Sequence, residues 1–189
     1  MGLNELSPKT RVKRGEKIED EICECLNEHY GFGLEKASFV ENTRKKIDRF
    51  IQGKTGRIPV QVKGRFSGDD ILYDLYEPYC GIGDPRTKPG RDHKGEFKVY
   101  ICLSKDRRII RVVNVESMRA IIGEIENEWS ASGHKLPFFS EKHPGCELRW
   151  HEDQWSGTPK VLCFLNTDVF KPNKDIKFYE MKTKETSNG

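Results

Sequence analysis

Three polar side chains near the middle of the chain are of the types that phosphodiester hydrolysis needs. Asp48 precedes a turn, and Gln61 and Lys63 follow it, two positions apart. Mg²⁺, or Mn²⁺ in its place, prefers oxygen ligands, which the Asp48 carboxylate, the Gln61 amide and the main-chain carbonyl of Val62 could supply. A bound cation lowers the pKa of its water, and Lys63 could orient or deprotonate that water or stabilise the transition state. We therefore expect metal-dependent hydrolysis here, with Asp48 as the main metal ligand.

Two extended runs, 47–52 and 57–63, must bring these side chains together. The segment Gly53-Lys54-Thr55-Gly56 between them is a turn by composition, and a hairpin closed there pairs residues whose numbers sum to 109. Asp48 then lies opposite Gln61, and Gln61 shares one face of its strand with Lys63 because side chains alternate along a strand. The hypothesis requires Asp48 to lie beside residues 61–63 and requires those residues to reach solvent.

Pro59 lies inside the second run and is unusual for a central strand, because it cannot donate a ladder hydrogen bond. Two explanations remain open from the sequence. Either the strand begins at Val60, or Pro59 lies at an unpaired position.

An acidic residue near the end of one strand, followed by Gln61-Val62-Lys63 on the next, resembles the PD-(D/E)XK superfamily of restriction-endonuclease-like nucleases. The Q-x-K form is similar to Mrr-like endonucleases. The preceding segment Gly15-Glu16-Lys17-Ile18-Glu19 looks like the G-x-x-x-E of archaeal Holliday-junction resolvases. The chain departs from the commoner pattern in having Gln61 in place of Glu and Ile47 in place of Pro.

The resemblance implies a metal-dependent DNA endonuclease of restriction, repair or recombination type, with Lys63 as the catalytic lysine and Gln61 as a second metal ligand. It also implies a homodimer, because cutting two strands usually takes two sites. Glu19 flanks an apolar helix stripe and could act at the site, although any single helical Glu can be merely solvated. The alternative is a catalytically inactive nucleic-acid-binding module on a nuclease-like scaffold.

Basic residues are concentrated around this segment. Residues 41–111 contain 17 Lys and Arg against 10 Asp and Glu, although the whole chain has a net charge of only +3. DNA is the expected partner of such a surface. The predicted phosphate contacts are Arg65, just beyond Lys63, and four residues of the glycine-rich loop 81–95: Arg86, Lys88, Arg91 and Lys94.

The apolar pattern predicts an α/β fold, a mixed central β-sheet flanked by helices, with an irregular C-terminal accessory region. We expect a flexible basic arm over 1–14, a nuclease core over 15–129, the accessory region over 130–181 and a disordered tail over 182–189. Within the core, helices are predicted from Gly15 to Tyr30 and from Val115 to Trp129. A strand hairpin is predicted around residues 104–107.

The remaining signals concern compartment and a second metal. No run of apolar residues is long enough to cross a membrane, and four cysteines (Cys23, Cys25, Cys102 and Cys163) lie in apolar runs, so we expect a cytoplasmic protein with buried thiols. A loosely spaced His134, His143, Cys146 and His151 leaves a structural zinc as a weaker alternative. The aromatic residues of 138–155 are expected to build a local core rather than to stack on bases.

Overall fold

A computed structural model describes residues 8–64, 70–77, 89–152 and 159–182. The described residues form two α-helices, ten β-strands, a π-helix (Glu41–Lys45) and a 3₁₀-helix (Thr167–Val169). The helices are α1 (Pro8–Tyr30) and α2 (Val115–Ala131). The strands are β1 (Leu34–Lys36), β2 (Arg49–Gly53), β3 (Gly56–Lys63), β4 (Ile71–Tyr76), β5 (Val99–Leu103), β6 (Ile109–Asn114), β7 (Phe138–Phe139), β8 (Glu147–Glu152), β9 (Pro159–Leu165) and β10 (Ile176–Glu180).

The larger sheet has six strands in the order β1-β2-β3-β5-β6-β10 and is mixed, because β3 and β5 are parallel and the other pairs are antiparallel. One of its faces packs on α1, whose buried Ile18 and Ile22 contact the cluster that contains Val60 and Val62. The other face carries Tyr100 and packs on α2. The predicted mixed α/β class is therefore confirmed, with a higher share of strands than helices.

A second sheet of four antiparallel strands, in the order β4-β9-β8-β7, shares the core on the α2 side. Tyr73 of β4 and Cys163 of β9 are fully buried there together with Trp129 of α2. The description of the C-terminal region as irregular was wrong, because three strands of this sheet and β10 of the larger sheet come from it. Residue 129, the predicted end of the core, does not separate the two sheets. Strand β4 lies before it and belongs to the second sheet, whereas β10 lies after it and belongs to the larger sheet.

Helix α1 begins at Pro8 rather than at Gly15, so the prediction of a flexible arm reaching residue 14 was wrong for residues 8–14. Proline suits a first helical position, because its missing N–H has no partner there in any helix. Helix α2 extends from Val115 to Ala131, close to the prediction, and Asn114 caps its start by accepting N–H groups of Glu116 and Ser117. Apart from Lys182, the predicted tail lies outside the described residues.

The β5–β6 hairpin forms around residues 104–107 as predicted. The four cysteines expected to be buried are buried, and none of the four forms a disulfide. In the described part of the chain, no helix combines the length and the apolar character needed to cross a membrane.

Candidate active site

The β2–β3 hairpin brings Asp48 beside the Gln61-Val62-Lys63 tripeptide. Arg49 pairs with Val60 and Gly53 with Gly56, which is the register predicted from the turn. Gly56 has a φ of +129°, a conformation that residues with a side chain rarely adopt. Immediately before β2, the Asp48 N–H donates to the Val60 carbonyl at 2.9 Å.

Pro59 lies within β3, opposite Phe50. The parallel pairing of β3 with β5 starts at Val60, so Pro59 lies just before that ladder begins. The first explanation is wrong, because β3 begins at Gly56, and Pro59 is tolerated because the β5 ladder needs no N–H from it.

The Asp48 carboxylate lies in a pocket of hydrogen-bond donors and is only 4% exposed. One oxygen, Oδ2, accepts the Val62 N–H at 3.1 Å. The other, Oδ1, accepts Asn42 Nδ2 at 2.6 Å and lies 3.5 Å from Arg91 Nη2. Burial raises the pKa of Asp48, although the Val62 N–H and the charge of Arg91 oppose the shift. The strand edge thus holds a desolvated carboxylate with cations and polar donors around it.

Glu19 of α1 lies close enough to Asp48 that the charge of Asp48 acts on its carboxylate. Burial raises its pKa to about 7, and the negative charge of Asp48 contributes to the shift, while Lys63 and Arg91 oppose it. The neighbouring Asp20 forms an ion pair with the buried Arg49, whose guanidinium also donates to the Asp48 carbonyl at 2.9 Å. Arg49 therefore fixes this turn of α1 to the start of β2 and holds Glu19 near Asp48.

Gln61 and Lys63 differ in their access to solvent. Gln61 is 1% exposed, and its Nε2 and Oε1 atoms have no hydrogen-bond partner in the part of the chain that the structure describes. The Lys63 side chain is 29% exposed, and its Nζ lies 3.2 Å from Asp92 Oδ1. The 61–63 tripeptide lies beside Asp48, as the hypothesis requires. The hypothesis also requires solvent access, which Lys63 has and Gln61 lacks. The buried Gln61 amide is therefore a polar group without a described partner, next to the residue whose N–H bonds Asp48.

Asp92 is a site residue that the sequence did not reveal. It is 2% exposed, its Oδ2 accepts the Asp74 N–H at 3.0 Å, and its carbonyl accepts the Tyr73 hydroxyl at 3.0 Å. Gly90 allows this approach, since a Cβ there would lie 2.4 Å from the Asp74 carbonyl oxygen. The available signal was one acidic residue next to Arg91 in a basic loop, which alone does not indicate a contact with Lys63.

Asn42 was also missed, because it lies on a π-helix that has no sequence signature. Its amide bonds the catalytic candidate Asp48 directly.

The predicted phosphate-binding residues fall into two groups. Arg91 and Lys94 lie at the site, where both positive charges act on Lys46, whose pKa is lowered first by burial and then by these two neighbours. The three other candidates, Arg65, Arg86 and Lys88, lie outside the described residues.

The alternative metal site is not supported by the geometry. Among the described residues, no group of three or more His, Cys, Asp or Glu side chains is arranged to hold a metal ion. His143 instead contacts Glu124 at 2.8 Å, and Cys146 Sγ accepts the Asn166 N–H. Because no such group of three described residues lies at Asp48 either, a cation bound there would need amide, main-chain or water oxygens in addition to carboxylates.

The expectation that the aromatic residues of 138–155 build a local core holds only in part. Phe138 packs partly buried against the core of α2, but Phe139 and Trp150 are 63% and 51% exposed.

Comparison of the chain with protein-family models, with curated proteins and with solved structures finds no match in any of the three.

The donor set at Asp48 fits a hard divalent cation. Asp48 and Glu19 could supply carboxylate oxygens, and the buried Gln61 amide could supply an oxygen that no described protein group uses. The N–H and C=O groups of one strand residue point toward the same neighbouring strand. The Val62 N–H points at Asp48, so the Val62 carbonyl points to the same side of β3. These are the oxygen ligands that Mg²⁺ and Mn²⁺ accept.

Proposed function

We propose that this protein is a metal-dependent endonuclease that hydrolyses DNA phosphodiester bonds, of the PD-(D/E)XK type that its Q-x-K segment resembles. The observation that carries the proposal is the hydrogen bond that the Val62 N–H donates to the Asp48 carboxylate, with Lys63 next to Val62 on the same strand. The chain order of Glu19 in α1, Asp48 immediately before β2, and Gln61 and Lys63 in β3 agrees with the resemblance.

Each residue has a distinct part in the proposed reaction. Asp48, Glu19, the Gln61 amide and the Val62 carbonyl would hold the cation, which when bound lowers the pKa of a water and neutralises phosphate charge. Lys63 Nζ lies 3.2 Å from Asp92 Oδ1, and we assign Lys63 to orienting the water and stabilising the transition state. Arg91, Lys94 and Lys46 would contact the DNA backbone.

The test is a cleavage assay on plasmid and branched DNA with Mg²⁺ or Mn²⁺. Asp48→Asn and Lys63→Ala should each lower the cleavage rate by about 10²-fold or more, the typical loss on removing a group that stabilises the transition state. Asp168→Asn and Lys177→Ala are matched controls, because both are exposed residues outside the site and should leave the rate unchanged.

The inactive DNA-binding module gives a different result in the same assay. It would bind DNA in a salt-dependent way, because phosphate contacts release counterions, but it would not cut with either cation. Cutting that persists in Asp48→Asn would contradict the proposed site itself.

A further inference from the structure

Two adjacent apolar side chains lie exposed at the edge of the candidate site. Phe39 is 85% exposed and Val40 is 56% exposed. Phe39 is the most exposed of the large hydrophobic residues in the described part of the chain. Exposing an aromatic ring and its apolar neighbour to water is unfavourable, so this pair is a candidate binding surface.

The segment 37–42 that carries this pair, helical from Phe39 onward, is bonded to Asp48 at both ends. On one side, the Ala37 N–H donates to the Asp48 carbonyl at 3.0 Å. On the other, Asn42 Nδ2 donates to Asp48 Oδ1 at 2.6 Å, and the Asn42 N–H closes the turn on the Ser38 carbonyl at 2.9 Å. Phe39 and Val40 are therefore held beside the residue that would bind the metal, rather than on a distant surface.

The charges around the segment 37–42 suit a polyanion. Lys46, at the end of the π-helix, lies close enough to Arg91 and Lys94 that their positive charges act on it. The carboxylate of Glu41, in the π-helix, accepts the Ser38 N–H and hydroxyl and lies 3.7 Å from Arg57. An exposed aromatic ring on a segment that bonds the candidate catalytic carboxylate and leads into a cationic cluster matches the combination that binds single-stranded nucleic acid.

We propose that Phe39 and Val40 contact an unpaired base next to the scissile phosphate, so that the preferred substrate is DNA with unpaired bases rather than a continuous duplex. This inference rests on the proposed function and specifies its substrate class. An unpaired base exposes a ring face on which Phe39 can stack, whereas in a duplex both faces are covered by neighbouring bases.

The test measures binding without cleavage, using the full chain in EDTA. Two labelled DNAs of equal length are compared by fluorescence anisotropy, a fully paired duplex and the same duplex with an unpaired bulge that contains 2-aminopurine. Phe39→Leu, which keeps an apolar side chain but loses the ring, should weaken binding of the bulged DNA by about tenfold and should reduce the change in 2-aminopurine fluorescence. Phe39→Trp should retain both.

The matched control is Phe178→Leu, since Phe178 is 49% exposed on β10, at the opposite edge of the larger sheet. It should change neither binding nor fluorescence. Because Phe39 is exposed, its variants should keep the wild-type Tm, which a thermal scan verifies.

Different outcomes overturn different claims. Equal affinity of the wild type for the two DNAs, or a Phe39→Leu variant that behaves like Phe178→Leu, would overturn the base contact while leaving metal-dependent cleavage intact. Absence of salt-dependent binding to either DNA would overturn both the base contact and the proposed function.

Discussion

Replacing Gln61 by Leu tests whether the buried amide is a ligand waiting for a cation. Gln61 is 1% exposed, and neither of its amide atoms has a partner among the described protein groups. A buried polar group without a hydrogen bond costs about 1–3 kcal/mol, and Leu fills similar space without that cost. In the metal-free protein, Gln61→Leu should therefore raise the free energy of unfolding by about 2 kcal/mol. For a chain of this length, that corresponds to a rise in Tm of about 4–8 °C.

The assay is thermal unfolding of both proteins in EDTA and then across a Mn²⁺ titration. The wild type should gain stability with Mn²⁺ because the ion binds only the folded state, and the Leu variant should gain less because it lacks the amide oxygen. Gln52→Leu, at an exposed position of the same hairpin, is the control and should change the free energy of unfolding by no more than about 0.5 kcal/mol.

Two results would refute this reasoning. A lower Tm of Gln61→Leu in EDTA would mean that the amide is already satisfied in the folded protein. An equal gain in stability with Mn²⁺ in both proteins would mean that Gln61 does not bind the ion.

Two further predictions concern the charges around the site. Asp92→Asn keeps an acceptor for the Asp74 N–H but removes the charge facing Lys63, so it should lower the free energy of unfolding by about 1–3 kcal/mol. A double-mutant cycle in urea should show most of that loss disappearing in a Lys63→Met background, and additive losses would contradict the pairing. Burial raises the pKa of Glu19 from 4.5 to about 7, so between these values the folded protein holds a proton that the unfolded chain releases. Metal-free stability should therefore fall with rising pH over that interval, by up to about 3 kcal/mol from Glu19, and Glu19→Gln should reduce this fall; equal slopes for both proteins in urea unfolding would contradict it.

The hairpin at the centre of the site was predictable because local rules determine it. The glycine-containing turn and the alternation of side chains fix which residues face each other, and the observed pairing of Arg49 with Val60 follows that register. Proximity of Asp48 to the 61–63 tripeptide is a direct consequence. The helix stripe of Ile18, Ile22 and Leu26 was equally local, and all three are buried.

The second sheet was not predictable from the same rules. In β8, Leu148 is the only fully buried residue and the flanking positions are polar or exposed, so the strand lacks the regular alternation that would reveal it. β4 has the opposite pattern, since it is buried at nearly every position and resembles neither an exposed strand nor a helix face. The boundaries of both strands depend on packing against each other through β9.

The residues missed at the site belong to irregular segments. Asn42 lies on a π-helix, and Asp92 lies in a turn that runs alongside β4, where the Gly90 N–H donates to the Leu75 carbonyl at 2.8 Å. Tertiary packing, rather than sequence spacing, determines where these segments approach β2 and β3. A sequence pattern can therefore supply the catalytic candidates but not the groups that hold them in place.

On the proposed function, charge balance explains how a neutral Gln61 could serve where the commoner pattern of the resembled family has Glu. The positive charge of Lys63 is matched by Asp92, whose Oδ1 lies 3.2 Å from its Nζ, and it also acts on the other two carboxylates of the site. Asp48 and Glu19 remain, and burial raises the pKa of both. On the proposed function, these two carboxylates match the two charges of the cation, and its binding would release Arg91 from Asp48 toward a phosphate. A third carboxylate at position 61, where the side chain is 1% exposed, would add a desolvated negative charge to a site that already holds Asp48, Glu19 and Asp92. The amide provides an oxygen without that charge.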